Sequence, residues 1–197
     1  MKRINDVFDA ADARIRKEAA SCKGFWDRRT SVTMAGPHYL SVLASDDFFC
    51  GGAYPDDSNL ALVFDLVTGA LVDWGKLLPG LAKKKQTTTA ADGTTLGTIS
   101  SPRLQELYID GTKPSEDCTS ALDLDQLDFI VWLNTKEPGL VVKPILAHVV
   151  RACGPAITIP LKILKSTEVS ADFLRAFSLP RERRDAGADR RAPRLRN

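Results

Sequence analysis

Residues 48–74, FFCGGAYPDDSNLALVFDLVTGALVDW, decide the fold. Within them Leu60, Leu62, Phe64 and Leu66 alternate with Asn59, Ala61, Val63 and Asp65. A period of two marks a strand, because successive side chains leave opposite faces of a sheet. Ahead of the run, Gly51 and Gly52 release the chain into angles that residues with a Cβ avoid. Pro55 and Asp56 then fit a turn. Behind the run, Thr68-Gly69 turns the chain, and residues 70–73 are expected to return as a short strand. Asp73 is placed to cap a helical turn over 74–78, which Pro79-Gly80 ends. The stretch reads as one corner of an antiparallel meander.

The neighbouring segments extend this pattern. Residues 39–49 alternate as a second strand, and 31–34 form a third, short one before the Gly36-Pro37 turn. Residues 4–20 carry Ile4, Val7, Phe8, Ala11 and Ile15 at spacings of three and four, which predicts an amphipathic helix packed on the sheet. Downstream, 83–95 is polar and turn-prone and is expected to be an exposed loop. Ser101-Pro102 opens a helix over 102–108, with Leu104 and Leu107 facing inward. A loop over 111–117 leads to Cys118. Residues 128–134 and 140–143 form a hairpin around a turn at 135–139. The segment 144–153 is ambiguous, 156–161 is a last strand, and 163–177 contains a short helix.

The fold class is therefore α+β: an antiparallel β-sheet of meander and hairpins, packed by the N-terminal helix and one or two short helices. Residues 1–180 read as one domain. Residues 181–197 hold seven arginines against Glu182, Asp185 and Asp189 and are expected to be a disordered basic tail. The whole chain has a formal charge of +2 and that tail carries +4, so residues 1–180 carry +2 − 4 = −2. A near-neutral, slightly acidic body argues against a nucleic-acid-binding core, because neutralising phosphates needs a basic face. No apolar run approaches the roughly 20 residues of a membrane helix.

The cysteines are Cys22, Cys50, Cys118 and Cys153, and no CxxC spacing occurs. Short-spaced zinc and redox motifs are thus absent. Wide, even spacing suits two disulfides, for which three pairings are open; Cys22–Cys50 with Cys118–Cys153 is favoured, one near each end of the body. The alternative is four buried thiols. Disulfides require an oxidising compartment. The first 21 residues lack the apolar stretch of a signal peptide. The location expected is periplasmic or secreted, with a leader upstream of this sequence; cytoplasmic is the alternative.

Catalytic signals are sparse. The histidines are His38 and His148, and each reads as structural ahead of catalytic. GxSxG, Walker A, GxGxxG and HExxH are all missing. Asp123, Asp125 and Asp128 superficially suggest a calcium loop, but Asp128 stands where an EF-hand needs Gly, and Asn134 where it needs Glu. Asp46, Asp47, Asp56 and Asp57 flank the corner; a gathered cation is the weaker reading and solvated turn residues the stronger. No cofactor or metal is expected.

Two segments resemble a known extracellular family. CGGAYPDDSNLALVFDLVTGALVDWGKLLP is similar to its corner, strand, D-L-x-T-G turn and helical turn. LDFIVWLNTKEPGLVVKPILAHVVRACGPAITIPLKIL is similar to its hairpin, Pro-containing stretch and v-x-I-P strand. Over about residues 29–165 the chain resembles the RsiV-type C-terminal domain of unknown function, which also accompanies some peptidoglycan deacetylases. The resemblance implies a bacterial cell-envelope domain. In the anti-sigma-factor member that domain binds lysozyme, and in the deacetylase the chemistry belongs to a separate domain. The chain departs at Tyr54, where the family often has His, and no catalytic residue carries over. The expected function is a non-enzymatic binding domain for a cell-wall polymer such as peptidoglycan or a lysozyme-like protein. Its expected contact residues are Tyr54, Asp56, Asp57 and His38. The alternatives are a wall hydrolase using a His–carboxylate pair and a structural envelope protein.

Overall fold

A computed structural model describes residues 2–91, 93–122 and 126–177. Helix α1 (Lys2–Ser21) follows from the apolar stripe. Ile4 and Ala11 are buried, and the Phe8 ring meets Phe64 at 5.3 Å between centroids. Three antiparallel strands follow as a meander: β1 (Phe25–Ala35), β2 (Tyr39–Phe49) and β3 (Asp56–Asp65). Strand β2 has the bounds read from alternation. Strand β1 is longer than the expected 31–34. Its first half is polar, but Trp26 stacks on Phe48 at 4.5 Å and Arg28 pairs with Asp46. Cross-strand partners of this kind hold a strand whose own sequence shows little apolar alternation.

The corner after β2 is built as its glycines suggest. Gly51 has φ of +90°, the left-handed region that a Cβ disfavours. After β3, Gly69 makes the turn at φ +68°. Residues 70–73 do not form the expected return strand and contribute only a single bridge, Phe64 to Leu71. Asp73 accepts a hydrogen bond from Gly75 N at 3.0 Å and caps α2 (Trp74–Leu77).

A second antiparallel sheet has the order β4-β5-β6-β7-β8: β4 (Lys84–Thr89), β5 (Thr95–Ser100), β6 (Phe129–Asn134), β7 (Gly139–Pro144) and β8 (Ile157–Pro160). The loop expected over 83–95 is overturned, since β4 and the start of β5 occupy it as a hairpin. Thr87, Thr88 and Thr89 are β-branched, and an edge strand facing water needs no apolar residue to be stable. Between β5 and β6 lie α3 (Pro102–Thr112) and α4 (Glu116–Ala121). Ser101 Oγ accepts from Leu104 N at 3.1 Å, the cap expected of it. Helix α3 runs past residue 108, and α4 carries Cys118, so 111–117 is not one loop. The ambiguous segment 144–153 ends in a 3-10 helix, His148–Cys153. Short helices α5 (Leu161–Leu164) and α6 (Ala171–Ala176) follow β8. The expected basic tail, 181–197, lies outside the described residues, as do Asp123 and Asp125.

The architecture is α+β and antiparallel, with the strands divided between two sheets. They meet at Ser41, whose buried hydroxyl oxygen accepts from Leu133 N at 3.1 Å and from Thr33 Oγ1 at 2.8 Å. Thr135 N donates to Thr33 O at 3.1 Å beside it. A continuous hydrophobic cluster joins Phe64, Leu81, Leu104, Phe129, Leu133 and Phe173. The Cys22 and Cys50 sulfurs lie 2.11 Å apart, and those of Cys118 and Cys153 1.97 Å apart, so both favoured pairs stand at disulfide distance.

Candidate functional site

The two cysteine pairs do not sit one near each end of the body as expected: they tie down two segments that meet. The pair at Cys50 holds the corner between β2 and β3 to the end of α1. The pair at Cys153 holds the 3-10 helix to α4. Corner and 3-10 helix touch each other directly. His148 Nε2 donates to Pro55 O at 3.2 Å, and the Tyr54 and His148 rings lie within 14° of parallel at 6.2 Å. Tyr54 is 74% exposed, so its outer ring face is open to a partner.

Ion pairs complete the junction. Arg151 Nη1 donates to Asp57 Oδ1 and to Asp57 O, both at 2.9 Å, and to Asp56 Oδ1. Lys143 from β7 reaches Asp57 Oδ2 at 3.5 Å and also donates to Asn59 Oδ1. Partial burial tends to raise the Asp57 pKa, but the Arg151 hydrogen bond and the Lys143 and Arg151 charges outweigh it. The carboxyl is held below its ordinary range. Arg151 moves the opposite way: burial lowers it, and hydrogen bonds to Asp57 and Asp56 more than compensate.

An open cleft of about 610 Å³ lies beside this cluster. Sheet one supplies Leu43 and Asn59, sheet two supplies Trp132 and Lys143, and the 3-10 helix supplies His148 and Arg151. Asn59 is itself oriented, since its Nδ2 donates to Ser45 Oγ at 2.9 Å. The arrangement offers amide, ammonium, guanidinium and imidazole groups on rigid elements. A ligand rich in hydroxyl and amide groups is what such a surface can hydrogen-bond.

Three of the four expected contact residues gather here: Tyr54, Asp56 and Asp57. His38 does not. It precedes β2, whereas the corner follows β2, and 11 residues of strand at about 3.3 Å each span roughly 35 Å. Of the expected solvated turn residues Asp46, Asp47, Asp56 and Asp57, Asp46 departs from that reading, being buried within β2. Asp46 faces Arg28, and Asp56 and Asp57 face Arg151. Among the described residues no group of three metal-type side chains converges. Sequence reasoning missed Lys143, Arg151, Asn59 and Trp132. Arg151 lies 94 residues from Asp57 in a segment without a clear period, so nothing local announced it.

Among solved structures, a DUF3298 family protein (PA4972) from Pseudomonas aeruginosa PAO1 is similar. The identity is 15%, the TM-score 0.46, and the match covers 82% of this chain and 70% of that one. No family model matches the chain, and no curated protein does. Among the described residues no helix is long and apolar enough to cross a membrane.

Proposed function

We propose that the chain is a non-enzymatic extracytoplasmic binding domain, and that the cleft between the corner and the 3-10 helix takes a cell-wall polymer. The observation that carries this reading is the cleft lining: oriented polar side chains and ring faces between two segments, each held at disulfide distance to a helix. Its size falls within the roughly 300–1,000 Å³ usual for ligand clefts. The cysteine pairs support an oxidising compartment. The resemblance of residues 50–79 and 128–163 to the RsiV-type domain supports the cell envelope as the setting.

Polymer is favoured over a basic protein such as lysozyme for an electrostatic reason. Asp56 and Asp57 already face Arg151 and Lys143, so the corner offers little net negative charge to a cationic partner. The hydrolase alternative is disfavoured by geometry. A general base needs hydrogen-bond reach to its partner groups. His148 lines the cleft but bonds a backbone carbonyl, and the nearby Asp57 is committed to cations.

Purified sacculi and immobilised lysozyme, each incubated with the folded protein, separate these readings. Retention by sacculi and loss of retention on Arg151→Ala with Asn59→Ala is expected. Retention by lysozyme alone would replace the polymer with a protein ligand, and release of soluble wall fragments would reinstate the hydrolase.

A further inference from the structure

A second cavity, on the opposite face of β2 and β3 from the cleft, lies between α1 and the first sheet. Phe8 and Ile15 of α1 form one wall, and Val42, Ala44, Leu60 and Leu62 the other. The cause is legible in the side chains. Ala11 is the inward residue between Phe8 and Ile15, and both it and Ala44 of β2 line the gap, so each layer contributes a small side chain there. Helix and sheet are held apart on either side of the gap by larger groups. Phe8 packs on Phe64 near one end, and the Cys22–Cys50 pair ties the other. Arg14 Nε, donating to Thr94 Oγ1 at 2.9 Å, fixes the helix laterally. The layers therefore cannot collapse to close the gap, which measures about 190 Å³.

Apolar spaces near 150 Å³ take a benzene-sized molecule, and this one is mainly apolar inside and opens past Asp12, Arg28 and Thr30. By that scale the cavity fits about six to eight heavy atoms. Its mouth defines the other half of the ligand. Arg28 is bound by Asp46 through two hydrogen bonds of 2.6 Å, and Asp12 is bound by Arg16 at 2.8 Å. An ionised head group would meet charges that already have ionic partners, and Thr30 supplies a neutral hydroxyl at the same opening. The geometry points to a binding site for a small, uncharged, largely apolar molecule, such as an alkyl or aryl alcohol, seated between α1 and the first sheet.

The test is titration of the isotope-labelled full chain with 1-hexanol, hexanoate and hexylamine, followed by amide shifts. Saturable shifts with hexanol, centred on Ala11, Val42, Ala44 and Leu60, are expected, with at least tenfold weaker responses to the two charged probes. Ala44→Leu fills the space and is expected to abolish the response; Ala11→Leu does the same from the helix side, should the first variant fail to fold. Absence of saturation up to the solubility of hexanol overturns the proposal. So does equal binding of hexanoate or hexylamine, or retention of the response in a folded cavity-filling variant.

Discussion

Arg151 donates to both the side chain and the backbone carbonyl of Asp57, joining the 3-10 helix beside the second sheet to the start of β3 in the first. A cation that bonds a backbone oxygen as well as a carboxylate fixes the path of the corner, not only its charge. Both partners are partly solvated, so the pair contributes under about 1 kcal/mol to global stability. Its effect is local. Arg151→Ala is expected to leave the melting temperature within a few degrees of the parent and to speed amide exchange at residues 54–57. Unchanged exchange there would show that the corner needs no clamp.

The same pair has a pH signature. The Asp57 carboxyl lies below its ordinary value of 3.8 because cationic partners outweigh burial. A depressed carboxylate contributes stability above its unfolded pKa, and that contribution is lost as pH falls through the folded value. Corner protection is therefore expected to be constant above about pH 5 and to fall in acid below about pH 4. Asp57→Asn should flatten that acid limb in an exchange-versus-pH series.

Tyr108 gives the opposite limb. Burial raises its pKa to about 12, and its hydroxyl donates to Pro155 O at 3.0 Å in the wall beside the cleft. A raised group contributes stability fully present below the unfolded value near 10, lost as pH rises toward the folded value. Absorbance titration at alkaline pH should show one tyrosine ionising about two units late, and Tyr108→Phe should remove that late step.

Ser41 and Leu133 test the junction of the sheets. Ser41→Ala leaves the Leu133 N–H buried without its acceptor, which costs about 1–3 kcal/mol. Chemical denaturation should show a lowered midpoint with an unchanged slope. Arg28 and Asp46 make a sharper case, because the Asp46 side chain is fully buried. Arg28→Met alone strands that carboxylate and should cost about 3–5 kcal/mol, whereas Arg28→Met with Asp46→Leu should recover most of the loss.

Local pattern was enough for much of this fold. Strand β2, the Ser101 and Asp73 caps, the Gly51 corner and both cysteine pairs follow from residues close in sequence or from a short list of alternatives. The β4–β5 hairpin escaped because threonine-rich edge strands read as polar loops. The first half of β1 escaped because its partners, Phe48 and Asp46, become visible only once the register is known. Tyr54, Asp56 and Asp57 were legible as an exposed corner. The cleft was not, since Arg151, Lys143 and Trp132 reach it through tertiary packing alone.

Two segments held at disulfide distance frame the cleft, and thiol titration under denaturing conditions tests both links. No reactive thiol is expected before reduction and four after it, matching the absence of a free cysteine among the described residues. The most direct measurement of the central claim is titration of labelled protein with soluble, undigested cell-wall glycan fragments, followed by mass analysis of the recovered fragments. Saturable shifts confined to Tyr54, Asp57, Asn59, Trp132, His148 and Arg151, with every fragment recovered intact, are the predicted result. Shifts absent from that cleft at saturating fragment, or fragments recovered cleaved, would contradict it.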